Sequence, residues 1–449
     1  MRPPVPSTRL PDWRLTDSRP TSAQPRRRHP RRAIVTGAVA ATALIAAACS
    51  GSSTEVTADT SPTTAGASTS AEVSTTDTAA PTTSESTTTT APATTTTPPP
   101  PPNVYASMAT PNPVTAGHRF LVYVPHEVSG TTMVIDPTTQ QVVNTFTTGA
   151  ESQHVVPSWD MTTLYAISSR GDLVTPIDPA TGNAGPAIEV EDPYNLYFTP
   201  DGAEAIIVEE GNQILTFRDA KTFAWHSSVQ VPCPGLNHLD YSADFSYLIA
   251  TCEFEGTMIK FDMASRQMVA KMTIDMTPSG QVPRNGHAQP QDVRLSADGS
   301  VFYVADLQSA GVYLIDGTTL TQIGYLPTGI GAHGLYPSRD GRKLYVVNRG
   351  TPIVGGPPGG QGSISVIDFA TRAVEVTWPI PGGGSPDMGN LTPDGTQLWL
   401  GGRYDGEIYA VDTRTGELAA RIPVGRNPHG LTVWPQPGRM SLGHTGNMR

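Results

Sequence analysis

A repeated pattern of short alternating strands and polar turns constrains this 449-residue chain more than any other feature. Its clearest copy runs from Ala332 to Val376, where apolar and polar residues alternate between Gly, Asp and Pro residues. A period of two is typical of β-strands that bury one face, whereas an amphipathic helix repeats every 3.6 residues. This unit therefore predicts one antiparallel sheet of four short strands.

The turn between the third and fourth strands of the unit recurs along the chain, as Asp followed three residues later by Thr or Ser. The seven copies begin at Asp136, Asp178, Asp219, Asp262, Asp316, Asp368 and Asp412. An Asp at the start of a turn accepts hydrogen bonds from backbone amides two or three residues further on. Seven such turns predict seven sheets.

A second Asp marks the turn between the first and second strands. Its copies are Asp160, Asp201, Asp244, Asp298, Asp340 and Asp394, at spacings of 41, 43, 54, 42 and 54 residues. Periods of this length are typical of propeller blades, with two insertions here. The pattern predicts an all-β fold, a seven-bladed β-propeller of four-stranded antiparallel blades.

The two ends of the repeat region predict how the ring closes. Phe120–Gly149 supplies three strands of a blade but lacks the first, and Gly430–Trp434 supplies one strand alone. Pairing the C-terminal strand with the first blade removes two exposed sheet edges. We therefore expect a closed propeller over residues 103–436 and a flexible C-terminal tail over residues 437–449.

Five segments carry a family resemblance. They are LYVVN (Leu344–Asn348), VFYVAD (Val301–Asp306), SVID (Ser365–Asp368), PDG (Pro393–Gly395) and PHG (Pro428–Gly430). These resemble the YVTN-type β-propeller repeat over about residues 118–436. The resemblance implies the fold, but relatives of this type include binding scaffolds, lactonase-like enzymes and haem- or copper-binding propellers, so it leaves the chemistry open.

The N-terminal 48 residues are predicted to be an export signal. Five arginines between Arg26 and Arg32 precede a stretch of small and apolar residues, Ala33–Ala48, and then Cys49. That order describes a signal peptide, since a membrane-spanning helix needs about 20 strongly apolar residues. Ala46–Cys49 resembles a bacterial lipobox, so we expect lipidation of Cys49, anchoring to the membrane and exposure on the extracytoplasmic face, with a plain secretory signal as the alternative. General secretory and twin-arginine export both fit.

Residues 49–102 consist mostly of Ser, Thr, Ala and Pro and end in a run of prolines. Such a segment has too few apolar side chains to offset the entropy of ordering, so a disordered stalk is predicted. Its Ser and Thr residues fit either O-linked sugars or a plain linker. Beyond it, residues 103–449 hold 20 basic and 33 acidic residues, which argues against nucleic-acid binding because phosphates require a basic surface. We expect a monomer.

Cys233 and Cys252 fall on the same side of neighbouring blades in the predicted register. Exported proteins meet oxidising conditions, so a disulfide is the main interpretation. A metal site that combines the two cysteines with His238 is the alternative.

Aligning the repeats predicts which side chains gather at one mouth of the central channel. The expected ligand-binding residues on this channel face are His154, Tyr194, Asn195, Glu209, His238, His287, Asp292, Asp306, His333, Asn348, Asp387 and His429. Imidazoles and carboxylates together suit a transition metal such as copper or zinc, and His154, His238 and His287 are the expected ligands. The alternative is that these histidines belong only to the strand turns and bond to neighbouring backbone.

Two hypotheses for function follow. The first is a cell-surface lipoprotein whose propeller is a binding platform for a small ligand, a metal or an envelope protein. The second is an extracytoplasmic metal-dependent enzyme, an oxidoreductase or a lactonase-like hydrolase. No Gly-x-Ser-x-Gly, His-Glu-x-x-His or phosphate-loop motif is present, and the sequence identifies neither a catalytic residue nor a substrate.

Overall fold

Seven antiparallel sheets form the propeller in the computed structural model of the protein, which describes residues 102–354, 361–444 and 446–449. The predicted export signal, Cys49 and residues 49–101 of the predicted stalk lie outside the described residues, as does the centre of the second insertion. The described residues fall within one compact unit, Ala93–Arg449. Its only described helices are short 3-10 turns at Ala106–Ala109, Pro113–Thr115 and Thr277–Ser279, and none has the length or apolarity to cross a membrane.

The first blade contains β1 (Leu121–His126), β2 (Thr131–Asp136) and β3 (Gln141–Thr147). The second contains β4 (Ser152–Pro157), β5 (Leu164–Ser168), β6 (Leu173–Asp178) and an outer strand split into β7 (Asn183–Ala184) and β8 (Ile188–Glu189). The third contains β9 (Pro193–Phe198), β10 (Glu204–Glu209), β11 (Ile214–Asp219) and β12 (Trp225–Gln230). The fourth contains β13 (Leu236–Tyr241), β14 (Tyr247–Cys252), β15 (Thr257–Asp262) and β16 (Gln267–Thr273).

The fifth blade contains β17 (Pro290–Leu295), β18 (Phe302–Asp306), β19 (Gly311–Asp316) and β20 (Thr321–Pro327). The sixth contains β21 (Ala332–Pro337), β22 (Lys343–Asn348), β23 (Ser363–Asp368) and β24 (Ala373–Pro379). The seventh contains β25 (Pro386–Leu391), β26 (Gln397–Gly402), β27 (Glu407–Asp412) and β28 (Leu418–Pro423), and β29 (Thr432–Trp434) follows it.

The predicted turns lie where the sequence pattern put them. All seven Asp residues of the first turn set end the third strand of a blade, and in the first blade Asp136 Oδ1 accepts the amide of Thr138 at 2.9 Å. In the second turn set a Ser or Thr hydroxyl donates to each Asp, as Ser158 does to Asp160 at 2.8 Å. Both predictions are confirmed.

Strand β29 closes the ring as predicted. It pairs with β1 antiparallel, with Leu121 opposite Trp434 and Tyr123 opposite Thr432, which gives the first blade the strand order β29-β1-β2-β3. The described blades pack through six clusters of buried apolar side chains. The predicted disulfide is also present, with the Cα atoms of Cys233 and Cys252 5.1 Å apart, so the alternative in which these cysteines bind metal is wrong.

The expectation of a flexible C-terminal tail does not match the structure. Residues 440–444 and 446–449 form a C-terminal hairpin, with Arg449 donating its amide to Met440 O at 3.1 Å, and this hairpin inserts between the inner strands. Leu442, His444 and Met448 are fully buried, and Arg449 is only 3% exposed. Gly443 permits the close approach, because a Cβ atom there would lie 2.3 Å from Leu196 O. Sequence periodicity missed the hairpin since it has no alternating pattern.

Two truncations separate ring closure from hairpin packing. Deleting residues 437–449 removes the buried Leu442 and Met448, worth about 1.5–3 kcal/mol each, and leaves Asp240 without Arg449, which bonds it at 3.1 Å. We expect a folded protein that unfolds at lower denaturant concentration. Deleting residues 429–449 also removes β29 and is expected to cause aggregation through the exposed edge of β1. Chemical denaturation and light scattering measure both effects, and a soluble, cooperatively unfolding protein that lacks residues 429–449 would contradict the closure argument.

His126 ties the closed blade to the seventh blade in a way that depends on pH. Its Nε2 accepts the amide of Gly425 at 3.1 Å and its Nδ1 lies 3.3 Å from Thr131 O, so only the neutral ring satisfies both contacts. Burial lowers the pKa of His126 from 6.5 to about 4. Because the folded-state pKa lies below the unfolded value, this stabilisation is complete above pH 6.5 and is lost as the pH falls from 6.5 to 4, by up to about 3 kcal/mol.

The His126→Gln variant tests this linkage. Gln keeps one donor and one acceptor without titrating, so unfolding free energies measured between pH 7 and 4.5 are expected to fall less steeply in the variant than in the wild type. Equal slopes would show that His126 does not carry the effect.

Candidate functional site

The strand-entry positions predicted by the repeat alignment are the second residues of the inner strands in six blades and, in the closing segment, His429, three residues before β29. Five of the predicted positions line the cavity at the mouth of the central channel, namely Gln153, Tyr194, Gln291, His333 and His429. Asp387 holds the same position in β25 and is fully buried beneath them. The third residues, among them His154, Asn195, His238 and Asp292, lie one step deeper and are fully buried. The register predicted for these inner strands is therefore correct.

Five buried histidines meet in the channel, and we call them the channel histidine cluster: His154, His238, His333, His429 and His444. The ring centroids of His238 and His444 are 4.4 Å apart, and His154 lies 4.9 Å from His429 and 5.1 Å from His444. The C-terminal hairpin supplies His444, and the inner strands of four blades supply the others.

Each ring of the cluster has a nitrogen that makes no hydrogen bond with the described protein groups, although His333 Nδ1 lies 3.1 Å from Asp387 Oδ1 and His429 Nδ1 lies 3.7 Å from Glu127 Oε1. These atoms are His154 Nε2, His238 Nε2, His333 Nδ1, His429 Nδ1 and His444 Nε2. His154 Nδ1 lies 3.1 Å from Tyr194 O, an acceptor, so Nδ1 carries the proton and Nε2 presents a lone pair. Asn195 Nδ2 lies 3.3 Å and 3.2 Å from the Nδ1 atoms of His238 and His444.

Burial keeps the cluster neutral. It lowers the pKa of His154 to about 4, and it lowers the pKa values of His238 and His444 well below the usual value, an effect that nearby imidazoles increase. Neutral imidazole is the form that ligates a metal ion. The cluster is therefore in a ligating form throughout the physiological pH range.

Two groups of His and Asp place their ligand atoms within 4.8 Å of one another. They are His238, Asp292 and His444, and His333, Asp387 and His429. In the deeper group Asp292 Oδ1 lies 3.8 Å from His444 Nε2 and 4.0 Å from His238 Nδ1. Tetrahedral ligands about 2.1 Å from a metal ion lie about 3.4 Å apart, so the atoms of this group are slightly farther apart than the ligands of a bound ion would be.

Two arginines form ion pairs with Asp387, the carboxylate of the outer group. Arg349 donates to Asp387 Oδ1 through Nε at 2.8 Å and also through Nη2, and Arg403 Nη1 donates to Asp387 Oδ2 at 2.9 Å. Burial alone would raise the pKa of Asp387, but Arg349 and neighbouring groups hold it well below the usual value. Arg403 also forms an ion pair with Glu127 at 2.7 Å. The outer group is thus a charge-paired network around the channel mouth.

A cavity of about 180 Å³ lies over this network, and we call it the vestibule. Its charged side chains are Glu127, Glu151, Glu210, Glu253, Arg349 and Arg403, and His333 and His429 also line it. Burial raises the pKa of Glu210 well above the usual value, and the nearby Glu253 raises it further. The vestibule therefore brings carboxylates and guanidinium groups together within a small volume.

Four predicted channel-face residues lie elsewhere. Glu209 accepts from Thr216 and Asn212, Asp306 accepts the amides of Gln289 and Ser309, and Asn348 bonds Ser363 and Ser365, so each ties its own blade together. His287 Nδ1 lies 2.6 Å from its neighbour's carbonyl, at Ala288, and has no ring contact with the described channel histidines. The expectation that these four residues bind a ligand at the channel face stays without support.

The vestibule residues that sequence reasoning missed come one position later. The residue following the second strand is Glu210 in the third blade, Glu253 in the fourth, Arg349 in the sixth and Arg403 in the seventh. Successive strand residues point to opposite faces, so a shift of one position moves a side chain from the sheet interior to the vestibule. The sequence could have indicated these residues, because charged side chains recur at this position in four blades.

Comparison with known proteins places the chain in one family. The sequence matches the YNCE-like β-propeller family over residues 94–437. No curated protein matches it. Solved structures also share the fold at low sequence identity, among them the following three.

A functionally unknown protein from Desulfotomaculum acetoxidans is 13% identical with a TM-score of 0.56, and the match covers 70% of this chain and 98% of that one. A putative 6-phosphogluconolactonase from Bacteroides uniformis is 17% identical with a TM-score of 0.53, over 70% and 100% of the two chains. The dihydro-heme d1 dehydrogenase NirN, in complex with DHE, is 14% identical with a TM-score of 0.50, over 72% and 75%. At these identities the matches show the fold alone. The chain belongs to the YNCE-like β-propeller family.

Proposed function

We propose that this protein is an exported, lipid-anchored propeller that binds a transition-metal ion, copper or zinc, in its central channel. One observation carries the proposal: the fully buried imidazoles of His154, His238 and His444 lie ring against ring, each with an Nε2 that makes no hydrogen bond with the described groups. A buried polar atom without a partner costs about 1–3 kcal/mol, so three together are unfavourable unless something binds them. Neutral imidazole nitrogens suit copper and zinc.

The deeper half of the cluster fits a metal ion best. His154 presents a lone pair at Nε2 because its Nδ1–H donates to Tyr194 O, an arrangement that fixes ring orientation in many metal sites. His238 and His444 would bind through Nε2 once their protons move to Nδ1, and the side chain of Asn195, which now donates to both rings, would then turn its oxygen toward them. The carboxylate of Asp292 lies nearby, but its oxygens already accept the amides of Val293 and Leu335, so the three imidazoles are the proposed ligands.

Metal analysis of the full-length protein, purified without a histidine tag, tests the proposal. We expect about one copper or zinc ion per chain after reconstitution, and a loss of affinity of at least about tenfold in His154→Ala, His238→Ala and His444→Ala. His287→Ala is the matched control, because His287 lies away from the cluster and its removal should leave metal binding unchanged. Melting temperatures in metal-free buffer verify that the variants fold. Wild-type metal content in His154→Ala would contradict the proposal.

The cellular part of the proposal rests on the N-terminal sequence. A basic region, an apolar stretch and Ala46–Cys49 support lipidation, and the Ser/Thr/Pro-rich residues 49–102 support a stalk that holds the propeller away from the membrane. The acidic propeller would then present the channel mouth to envelope proteins or small molecules outside the cytoplasm.

Substituting Cys49 tests the anchor. In a bacterial host the wild-type protein is expected in the membrane fraction with a lipid-modified N-terminal Cys49, detected by mass spectrometry. Cys49→Ser should move the protein to the soluble extracytoplasmic fraction or leave its signal uncleaved, whereas Ser50→Ala should behave as the wild type. A wild-type protein that is fully soluble outside the cytoplasm and carries no lipid would contradict the anchor.

A metal-dependent enzyme is the second candidate, and the vestibule favours it because the cavity opens directly beside His333 and His429. A small substrate in the vestibule would contact these imidazoles and Arg349. Lactone hydrolysis and oxidase assays on metal-loaded protein, with the His154→Ala variant as the negative control, test this candidate.

A further inference from the structure

The vestibule has opposite charges on opposite sides of the ring. Glu151, Glu210 and Glu253 come from the second, third and fourth blades, and Arg349 and Arg403 come from the sixth and seventh. Consecutive blades are neighbours around the channel, so these three carboxylates form one side and the guanidinium groups the other, where Glu127 also lies, paired with Arg403. A ligand that spans the vestibule would contact both the carboxylates and the guanidinium groups.

Atoms on each side are left for a ligand. On the basic side Arg349 is 1% exposed, lines the vestibule and has an Nη1 without a described partner, although its other nitrogens bond Asp387. On the acidic side Gln153 is 6% exposed, and its Oε1 is also without a described partner. One buried donor and one buried acceptor therefore belong to residues that line a single cavity.

Glu210 is partly buried and makes no ion pair within the described residues, whereas Glu127 pairs with Arg403 and Glu151 with Arg170. Its pKa is raised because it is buried beside Glu253 and other carboxylates without a cation of its own. Glu253, in contrast, accepts from Asn237 at 2.7 Å and from Gln289 at 3.3 Å. A bound ammonium group would relieve the repulsion around Glu210.

We propose that the vestibule binds a small zwitterion of the amino-acid class, with its carboxylate on Arg349 and its ammonium group on Glu210 and Gln153. The cavity of about 180 Å³ is smaller than the roughly 300–1,000 Å³ of pockets for drug-sized ligands, so it selects a small molecule. A simple anion meets the repulsion of the carboxylates and a simple cation that of the arginines. The inference goes beyond metal binding and does not depend on it.

Calorimetry on full-length, metal-free protein tests the inference. The probes are glycine, β-alanine, γ-aminobutyrate and the proteinogenic L-amino acids, each compared with its N-acetyl and carboxamide derivatives. We expect at least one zwitterion to bind and both of its derivatives to bind at least about tenfold more weakly, because each derivative loses one charge-assisted contact. No binding by any probe, or equal binding of a zwitterion and its derivatives, would overturn the inference.

Variants localise the binding. Glu210→Gln preserves side-chain volume and breaks no described ion pair, so it should fold normally and weaken binding at least about tenfold. Arg349→Lys keeps a cation beside Asp387 but loses the spare donor and should also weaken binding. Glu189 is an exposed carboxylate on β8, so Glu189→Gln is the control and should bind as the wild type does.

Wild-type affinity in Glu210→Gln would overturn the assignment to the vestibule. Metal binding measured on the same Glu210→Gln protein separates a failure of this inference from a failure of the metal proposal.

Discussion

The antiparallel pairing of β29 with β1 is the interaction on which the rest of the structure depends. Only three residue pairs make it, Leu121 with Trp434, Val122 with Val433 and Tyr123 with Thr432, yet they join the two ends of the described ring. An open ring would leave two sheet edges unpaired, and edges of this kind pair with other chains. Closure also fixes where the chain goes next. The C-terminal hairpin reaches the channel because β29 is itself an innermost strand, so the same pairing that completes the fold brings His444 to the other histidines.

The polar interior of the channel also has a structural purpose. Asp240 Oδ2 accepts the amide of Leu295 in the next blade at 2.8 Å, and Asp292 Oδ2 accepts that of Leu335 at 2.9 Å. These carboxylates therefore link neighbouring inner strands, whose outer partners belong to separate sheets. Because such bonds satisfy backbone amides that face the channel, acidic and amide side chains are expected there whatever the protein binds. The imidazoles of His154, His238 and His444 differ, since their Nε2 atoms make no hydrogen bond that links two strands.

Most of the fold could be predicted from sequence because its turns are local. An Asp that accepts hydrogen bonds from amides two or three residues away gives the same sequence pattern in every blade. The disulfide could be predicted from the strand register that these turns fix. The third residues of the inner strands were predictable for the same reason. The lining of the vestibule was not predictable. It depends on the direction in which Glu210 and Arg349 point just after a strand ends, where the alternation of strand residues no longer applies. His444 was beyond prediction by periodicity, because a hairpin that packs through Gly443 and Leu442 has neither a repeat nor a strand pattern.

Charge pairing in the channel decides what kind of cation it can accept. Arg349 and Arg403 already occupy Asp387, while the amides of Val293 and Leu335 occupy Asp292 together with Arg294, 3.3 Å away. Calcium and magnesium require several carboxylate or carbonyl oxygens, and these oxygens are committed. The atoms that can still bind a metal ion are imidazole nitrogens. Burial keeps these rings neutral, so they add no negative charge that would attract a hard ion. A borderline metal that bonds imidazole directly is therefore favoured over a hard cation, and the arginines that exclude the hard cation are the same groups that give the vestibule its basic side.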